Sequence, residues 1–251
     1  MKGTFILVPT YNEISNIEKL LDEVTAAVPQ ANIVILDDNS PDMTWKYVKE
    51  RAKKNKKIML NLSEKKGGIG KAYIRGFSFA LSKGAERIVQ LDADLSHNPK
   101  DIPDMLELSK SYDLVIGSRY KNGVNVINWP MRRVMLSYFA NYFVNFVTGV
   151  HISDCTSGFK CFTRKALSSI RLEKIISDGY IFQVEMNLIC KKLGFTIYEK
   201  PIIFRERASG FSKMATGIIS EAFFKTLMLR LKRFESYRRK EGDEKKKGKK
   251  S

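Results

Sequence analysis

Short apolar runs alternate along the chain with stretches whose apolar residues recur every three or four positions. Thr4 to Val8 (TFILV) is short and continuously apolar, as a strand buried on both faces is. ISNIEKLLDEVTAAV follows at helical spacing and stops before Pro29. NIVILDD predicts a second strand, and Ser40-Pro41-Asp42 the start of the next helix, with a capping residue and Pro in its first turn. KIMLNL, ERIVQLDAD and YDLVIGSR predict further strands; KAYIRGFSFALSK and PKDIPDMLELSK predict the helices between them. Such βαβα alternation predicts a mostly parallel sheet with helices on both faces, its ligands at the carboxyl ends of the strands.

The alternation breaks near residue 120. Between Arg133 and Asp154 lie twenty residues without Lys, Arg, Asp or Glu. Their length approaches a membrane span, but Ser137, Asn141 and Asn145 give a helix there one polar stripe. That predicts a helix packed on the protein or lying in a membrane interface rather than a true span. FQVEMNLICKKL reads as a helix, and FTIYEKPIIFRER as a strand region. The last apolar stretch carries Ile218, Ile219, Ala222, Phe223, Leu227 and Leu231 among Lys225, Arg230, Lys232 and Arg233. The expected organisation is a single catalytic domain over 1–214, divided near residue 120, then a basic amphipathic helix over 215–235 and a disordered basic tail over 236–251.

Composition adds a charge argument. The 251 residues carry 44 Lys+Arg against 27 Asp+Glu, a formal net charge of +17. The tail from Arg238 holds only part of that excess, so the body is basic too and should attract anionic groups: phosphorylated substrates, acidic membrane or nucleic acid. No helix-turn-helix, zinc or RNP signature accompanies the charge, so no specific nucleic acid is expected. Cys155, Cys161 and Cys190 are an odd set without a C-x-x-C pair, which argues against a disulfide framework or structural zinc. The apolar run before Pro9 and Glu13 is too short, so it is expected to be neither a secretory signal nor an anchor.

Candidate chemistry collects at the predicted strand ends. Asp92 and Asp94, if extended, project to one side, and two close anions favour a hard cation between them. Asp37 and Asp38 end the second strand, near Pro9, Tyr11 and Glu13 of the first; carboxylates and an aromatic there suit a nucleoside. Gly67-Gly68-Ile69-Gly70 precedes a helix but is no P-loop. Arg119, Arg132, Arg133, Arg207 and Lys213 supply cations for phosphates. His97 is a candidate base, though a histidine in such a turn more often has a structural role, and Glu185, among apolar neighbours, should be paired with a cation.

PTYNE (Pro9–Glu13), LDDNSPDMTW, KKGGIGKAYIRGF, LDADLSHNP, GSRY, NWPMRRVMLS, DCTSGFK and RASGFSK occur in order over residues 4–214. Together they resemble glycosyltransferase family 2, within it the enzymes that load mannose onto dolichyl or other polyprenyl phosphates. The resemblance implies an α/β fold of GT-A type and inverting transfer from GDP-mannose, with UDP-glucose as the nearest alternative donor. By that likeness Pro9, Tyr11, Glu13, Asp37 and Asp38 would contact the nucleoside, and Asp92 and Asp94 would hold Mg²⁺ or Mn²⁺. Arg119, Arg133 and Ser137 would receive the lipid phosphate; Arg207 and Lys213 would close over the donor. It implies a membrane-surface location, on the cytoplasmic side, and room for small membrane-anchoring subunits. Relatives often have Gln where Ser96 stands, so Ser96 or a water would have to replace it. The acceptor phosphate is already a nucleophilic oxyanion, so this reaction needs no general base; a sugar or protein acceptor would, with Asp154 or Glu185 as the candidates.

Overall fold

The computed structural model describes residues 3–206, 224–232 and 234–239. Strands β1 (Thr4–Thr10), β2 (Asn32–Asp37), β3 (Ile58–Leu62), β4 (Arg87–Gln90), β5 (Leu114–Ser118), β7 (Lys160–Thr163) and β8 (Ile197–Pro201) form one sheet in the order β3-β2-β1-β4-β7-β5-β8. All its pairings are parallel except those of β7, which runs antiparallel to both β4 and β5. Two short strands, β6 (Val126–Ile127) and β9 (Phe204–Arg205), pair separately.

Side chains on β1 alternate between two cores. Ile6 and Val8 pack with α1 (Ile14–Ala27), α2 (Thr44–Lys54) and α4 (Ile102–Leu108) on one face. Phe5 and Leu7 point to the other, with α3 (Ile69–Ser82), α5 (Met131–Thr148), α6 (Arg164–Ser168) and α7 (Gly179–Lys192). Gly76 of α3 lets that helix lie close on the sheet: a Cβ there would come within 2.6 Å of a Leu36 methyl. The antiparallel strand shapes one edge of the sheet. Because β7 runs against its neighbours, its beginning, not its end, meets the carboxyl ends of β1, β2, β4 and β5, which brings Thr156 to Phe159 to that edge.

Several local expectations are revised. The helix expected from Ser40 starts at Thr44, after Met43 in a left-handed conformation. Ser40 and Asp42 serve the β1 loop instead, accepting hydrogen bonds from the backbone N–H groups of Asn12 and Ile14. The strand expected through Asp94 ends at Gln90. Asp92-Ala93-Asp94 lies beyond it, in a turn completed by Leu95 at φ 61°, so the turn rather than a strand pleat brings the two carboxylates together.

The uncharged stretch is α5, and its polar stripe faces the protein. Asn141 Oδ1 accepts from the Cys155 N–H, and Asn145 is bonded in both directions to the Ile152 backbone. The opposite face leaves Phe146, Met131 and Tyr142 exposed by 77%, 71% and 67%. Among the described residues no helix is long and apolar enough to cross a membrane.

Of the expected terminal helix, 224–230 is helical; residues 215–223 lie outside the described residues. Tyr237 and Arg238, expected in the disordered tail, are packed: Phe234–Tyr237 forms a 3₁₀ turn with both aromatics buried, and Arg238 bridges to Ile170.

Candidate active site

Two cavities open at this sheet edge. The first, about 290 Å³, is bordered by Pro9, Tyr11 and Glu13 from β1 and its loop, Asp38 after β2, and Lys66 and Gly68 before α3. The second, about 330 Å³, lies under α5 with Trp129, Phe139, Phe143 and Val144 in its walls, and Arg119, Arg133 and Ser137 among them. Asp92, Asp94, Thr156, Gly158 and Tyr180 border both. The cavities therefore meet at the paired carboxylates.

Each wall has a local cause. Asp38 Oδ2 accepts from the Gly67 and Gly68 N–H groups at 2.8 and 3.2 Å, and Arg75 Nη2 reaches Oδ1 at 3.1 Å. That carboxylate thus folds the glycine loop over the cavity. Gly68, at φ 91°, has no room for a Cβ, which would overlap the Asp178 carboxylate, itself bonded to the Gly70 N–H at 2.7 Å. Lys66 Nζ lies 3.8 Å from the centre of the Tyr11 ring, a cation–π contact at the rim. Asp37 is the exception among the nucleoside candidates. It does not border the cavity; it is wholly buried, and its oxygens take hydrogen bonds from Thr10 Oγ1 and from Ser40 N and Oγ.

Asp94 is held by Ser96, whose Oγ and N–H donate to Oδ1 at 2.5 and 3.1 Å. Ser96 is buried and borders neither cavity, and its hydroxyl orients the Asp94 carboxylate. Gly158 passes so close to Asp92 that a Cβ there would stand 2.8 Å from Oδ2. Among the described residues no third acidic, His or Cys side chain completes a metal cluster. Two carboxylates at the mouth of a phosphate-sized cavity still fit Mg²⁺ or Mn²⁺, which often take one or two carboxylates and fill the remaining positions with water and substrate phosphates.

The cations differ in their freedom. Arg119 is buried, with Nε and Nη2 forked onto Asp154 at 2.7 and 2.6 Å and Nη2 also on Thr156 Oγ1. Burial alone would raise the Asp154 carboxyl; the Arg119 guanidinium outweighs it and holds it below the usual range. The expected phosphate-binding role of Arg119 must allow for this: most of its charge is already answered. Arg133 is more available. Its guanidinium stacks 4.0 Å above Trp129 and meets Glu206 at 3.1 Å on the partly open side of the site. Ser137 lines the same cavity one turn further along α5. Arg207 and Lys213 lie outside the described residues.

No general base emerges from the three candidates. His97 is packed between Phe159 and Phe204, and burial pushes its pKa down to about 4, so it is neutral near pH 7. Asp154 is engaged by Arg119 on both oxygens. Glu185 is paired, as expected of a buried acid, but not with a site cation: Lys232 Nζ and the Tyr237 hydroxyl reach it at 2.6 and 2.8 Å from the carboxy-terminal segment.

A family model, glycosyl transferase family 2, matches residues 5–171. The chain belongs to that family. As a family 2 glycosyltransferase it is 39% identical over 216 residues to an undecaprenyl-phosphate mannosyltransferase of Micrococcus luteus, covering 86% of this chain and 89% of that protein. It is also 39% identical over 224 residues to a polyprenol monophosphomannose synthase of Mycolicibacterium smegmatis, covering 88% and 84%. Among solved structures, the fold matches glucosyl-3-phosphoglycerate synthase of Mycobacterium tuberculosis with Mn²⁺, UDP and its product, at a TM-score of 0.66 and 20% identity over 91% of this chain and 80% of that one. This confirms the GT-A type α/β architecture expected from the sequence.

Sequence reasoning missed several contributors, Tyr180 at the junction of the cavities among them. Thr156 and Gly158 arrive through the antiparallel strand, which periodicity does not reveal. Asp178 and Gln183 sit at the start of a helix whose apolar pattern gave no sign of a site.

Proposed function

We propose that this glycosyltransferase moves mannose from GDP-mannose to a polyprenyl phosphate, with inversion, at a membrane surface. The observation that carries the reading is the pair of cavities joined at Asp92 and Asp94. One is bordered by Glu13, Asp38 and Lys66 beside Tyr11 and suits a nucleotide; the other is walled by aromatics, holds two arginines and lies under the exposed aromatic face of α5. A lipid whose head is a phosphate matches the second in both respects, and the names of the two relatives at 39% identity point to the same acceptor and sugar.

In this reading Pro9, Tyr11, Glu13 and Asp38 receive the nucleoside, and Asp92 and Asp94 would hold Mg²⁺ or Mn²⁺. A divalent cation held there would neutralise charge growing on the leaving nucleotide. Arg133 leaves Glu206 for the acceptor phosphate, with Ser137 beside it and Arg119 setting the background potential. Guanidinium forks suit phosphate oxygens. The phosphate oxygen attacks the anomeric carbon from the side opposite the diphosphate, which inverts the centre. Its charge makes a base unnecessary, in keeping with the engaged or neutral states of His97, Asp154 and Glu185. Arg207 and Lys213 would supply cations to the donor phosphates, and the face of α5 with Met131, Tyr142 and Phe146 rests in the membrane interface, on the cytoplasmic side, where anionic lipid attracts the basic chain. Small membrane-anchoring subunits are compatible with that placement.

The test is transfer of label into the organic phase from GDP-mannose or UDP-glucose, with a polyprenyl phosphate and Mg²⁺ or Mn²⁺. Transfer from GDP-mannose that disappears in Asp94→Ala supports the reading. Transfer from UDP-glucose alone replaces the donor, and no binding of either nucleotide sugar by folded protein removes the reading.

A further inference from the structure

The donor cavity has a buried polar side chain that neither the nucleoside contacts nor the metal pair use. Gln183, in the second turn of α7, is only 3% exposed yet borders that cavity. Behind it lies Lys160 of β7, wholly buried, whose Nζ donates to Gln183 Oε1 at 2.8 Å and to its backbone carbonyl at 3.0 Å. The side-chain contact settles which way the amide faces. Nζ donates to both Gln183 oxygens, so the amide oxygen faces the lysine and the NH₂ group points away from it. Among the described residues that nitrogen donates no hydrogen bond. A donor kept without a protein partner and facing a cavity is suited to a ligand acceptor.

The position along the cavity narrows the ligand. Tyr180, three residues earlier and so on the same side of the helix, borders both cavities. The start of α7 therefore lies at their junction, whereas Tyr11, Asp38 and Lys66 line the donor cavity from β1, β2 and the glycine loop. If the protein is the transferase proposed, the junction is where the transferred hexose must sit. We propose that Gln183 is a sugar-recognition residue whose amide donates a hydrogen bond to a hexose hydroxyl oxygen, with Lys160 as the positioning residue that fixes its orientation.

The experiment compares calorimetric affinity for GDP-mannose and for GDP, and for UDP-glucose and UDP, in Mg²⁺, with kcat/KM measured alongside. In Gln183→Leu, affinity for the nucleotide sugar should fall about tenfold, one lost hydrogen bond, while that for the bare nucleotide stays within twofold. Gln183→Glu keeps a partner for Lys160 but offers the sugar no donor, and should show the same selective loss. Lys160→Met should reproduce it, and the double variant with Gln183→Leu should add nothing, because the two act as one unit. General structural damage would weaken both ligands together and would not give that pattern. Unchanged nucleotide-sugar affinity in a folded Gln183→Leu protein overturns the inference, as does an equal loss for sugar-bearing and bare nucleotide, which would put the contact on the diphosphate. A wild-type protein that transfers sugar while Gln183→Leu matches it defeats this inference alone. Wild-type protein that binds neither nucleotide sugar defeats the transferase reading with it.

Discussion

Arg119 and Asp154 form a forked ion pair sealed inside the protein, with Nε–Oδ2 at 2.7 Å and Nη2–Oδ1 at 2.6 Å. The Arg119 backbone N–H also donates to Oδ2 at 2.9 Å. The carboxylate thus holds both the end of β5 and the guanidinium that borders the acceptor cavity. Removing one partner leaves a buried charge unanswered, which costs about 3–5 kcal/mol. Asp154→Ala should lower the denaturant midpoint accordingly, with an unchanged slope. A midpoint equal to wild type would mean that water reaches the pair.

Gly158→Ala places a methyl 2.8 Å from Asp92 Oδ2, against a carboxylate rather than a soft side chain. Gly158 is not among the residues with positive φ, so alanine strains nothing in the backbone itself. The fold should survive with a similar melting temperature, while kcat/KM falls on the order of 100-fold, the usual effect of displacing a reacting group by about 1 Å. Equal activity in the variant would place Asp92 away from the reacting diphosphate.

Ser96→Ala removes the 2.5 Å hydrogen bond that orients Asp94 without touching either cavity wall. The metal concentration for half-maximal transfer should rise roughly five- to tenfold, as one hydrogen bond of about 1 kcal/mol is lost. Metal titrations of transfer by both proteins decide it; coincident curves would show that Asp94 needs no such support.

Lys160 is buried, and burial pushes its pKa down to about 7 from an ordinary 10.5. The unfolded chain therefore holds a proton between about pH 7 and 10.5 that the native protein has released. Unfolding takes up a proton there, so this group's contribution to stability grows as pH rises through the window. Relative to Lys160→Met, the wild type should gain up to about 3 kcal/mol between about pH 7 and 9.5 in denaturant titrations. A difference independent of pH would show Lys160 charged in the native state.

Tyr142 and Phe146 are 67% and 77% exposed on the outer face of α5, whose polar stripe is used internally. Tyr142→Glu with Phe146→Glu should leave the melting temperature within a few degrees. It should weaken co-sedimentation with anionic vesicles several-fold, since each apolar side chain withdrawn from the interface forfeits about 1.5–3 kcal/mol at most. Undiminished co-sedimentation would assign membrane contact to another part of the chain.

The order of strands and helices through β5 was legible from the chain alone, because periodicity is local: a short apolar run such as Thr4–Val8 and a 3.6-residue repeat such as Ile14–Ala27 have few alternatives. So was the grouping of Tyr11, Glu13, Asp38, Asp92 and Asp94, since parallel strands place all their carboxyl ends at one edge. Family membership was legible too, in motifs kept in order. What the sequence could not decide was direction and partnership. Nothing in Lys160–Thr163 announces that β7 runs backwards, yet that reversal delivers Thr156 and Gly158 to the site. Asp37 and Asp38 are neighbours of one type; only packing turns the first to Thr10 and Ser40 and the second to the glycine loop. Arg119 read as a free cation until the fold set Asp154, 35 residues away, against it. Local pattern fixes where a side chain begins, but its charge, exposure and use depend on groups distant in sequence, which only the tertiary fold brings within a few ångströms.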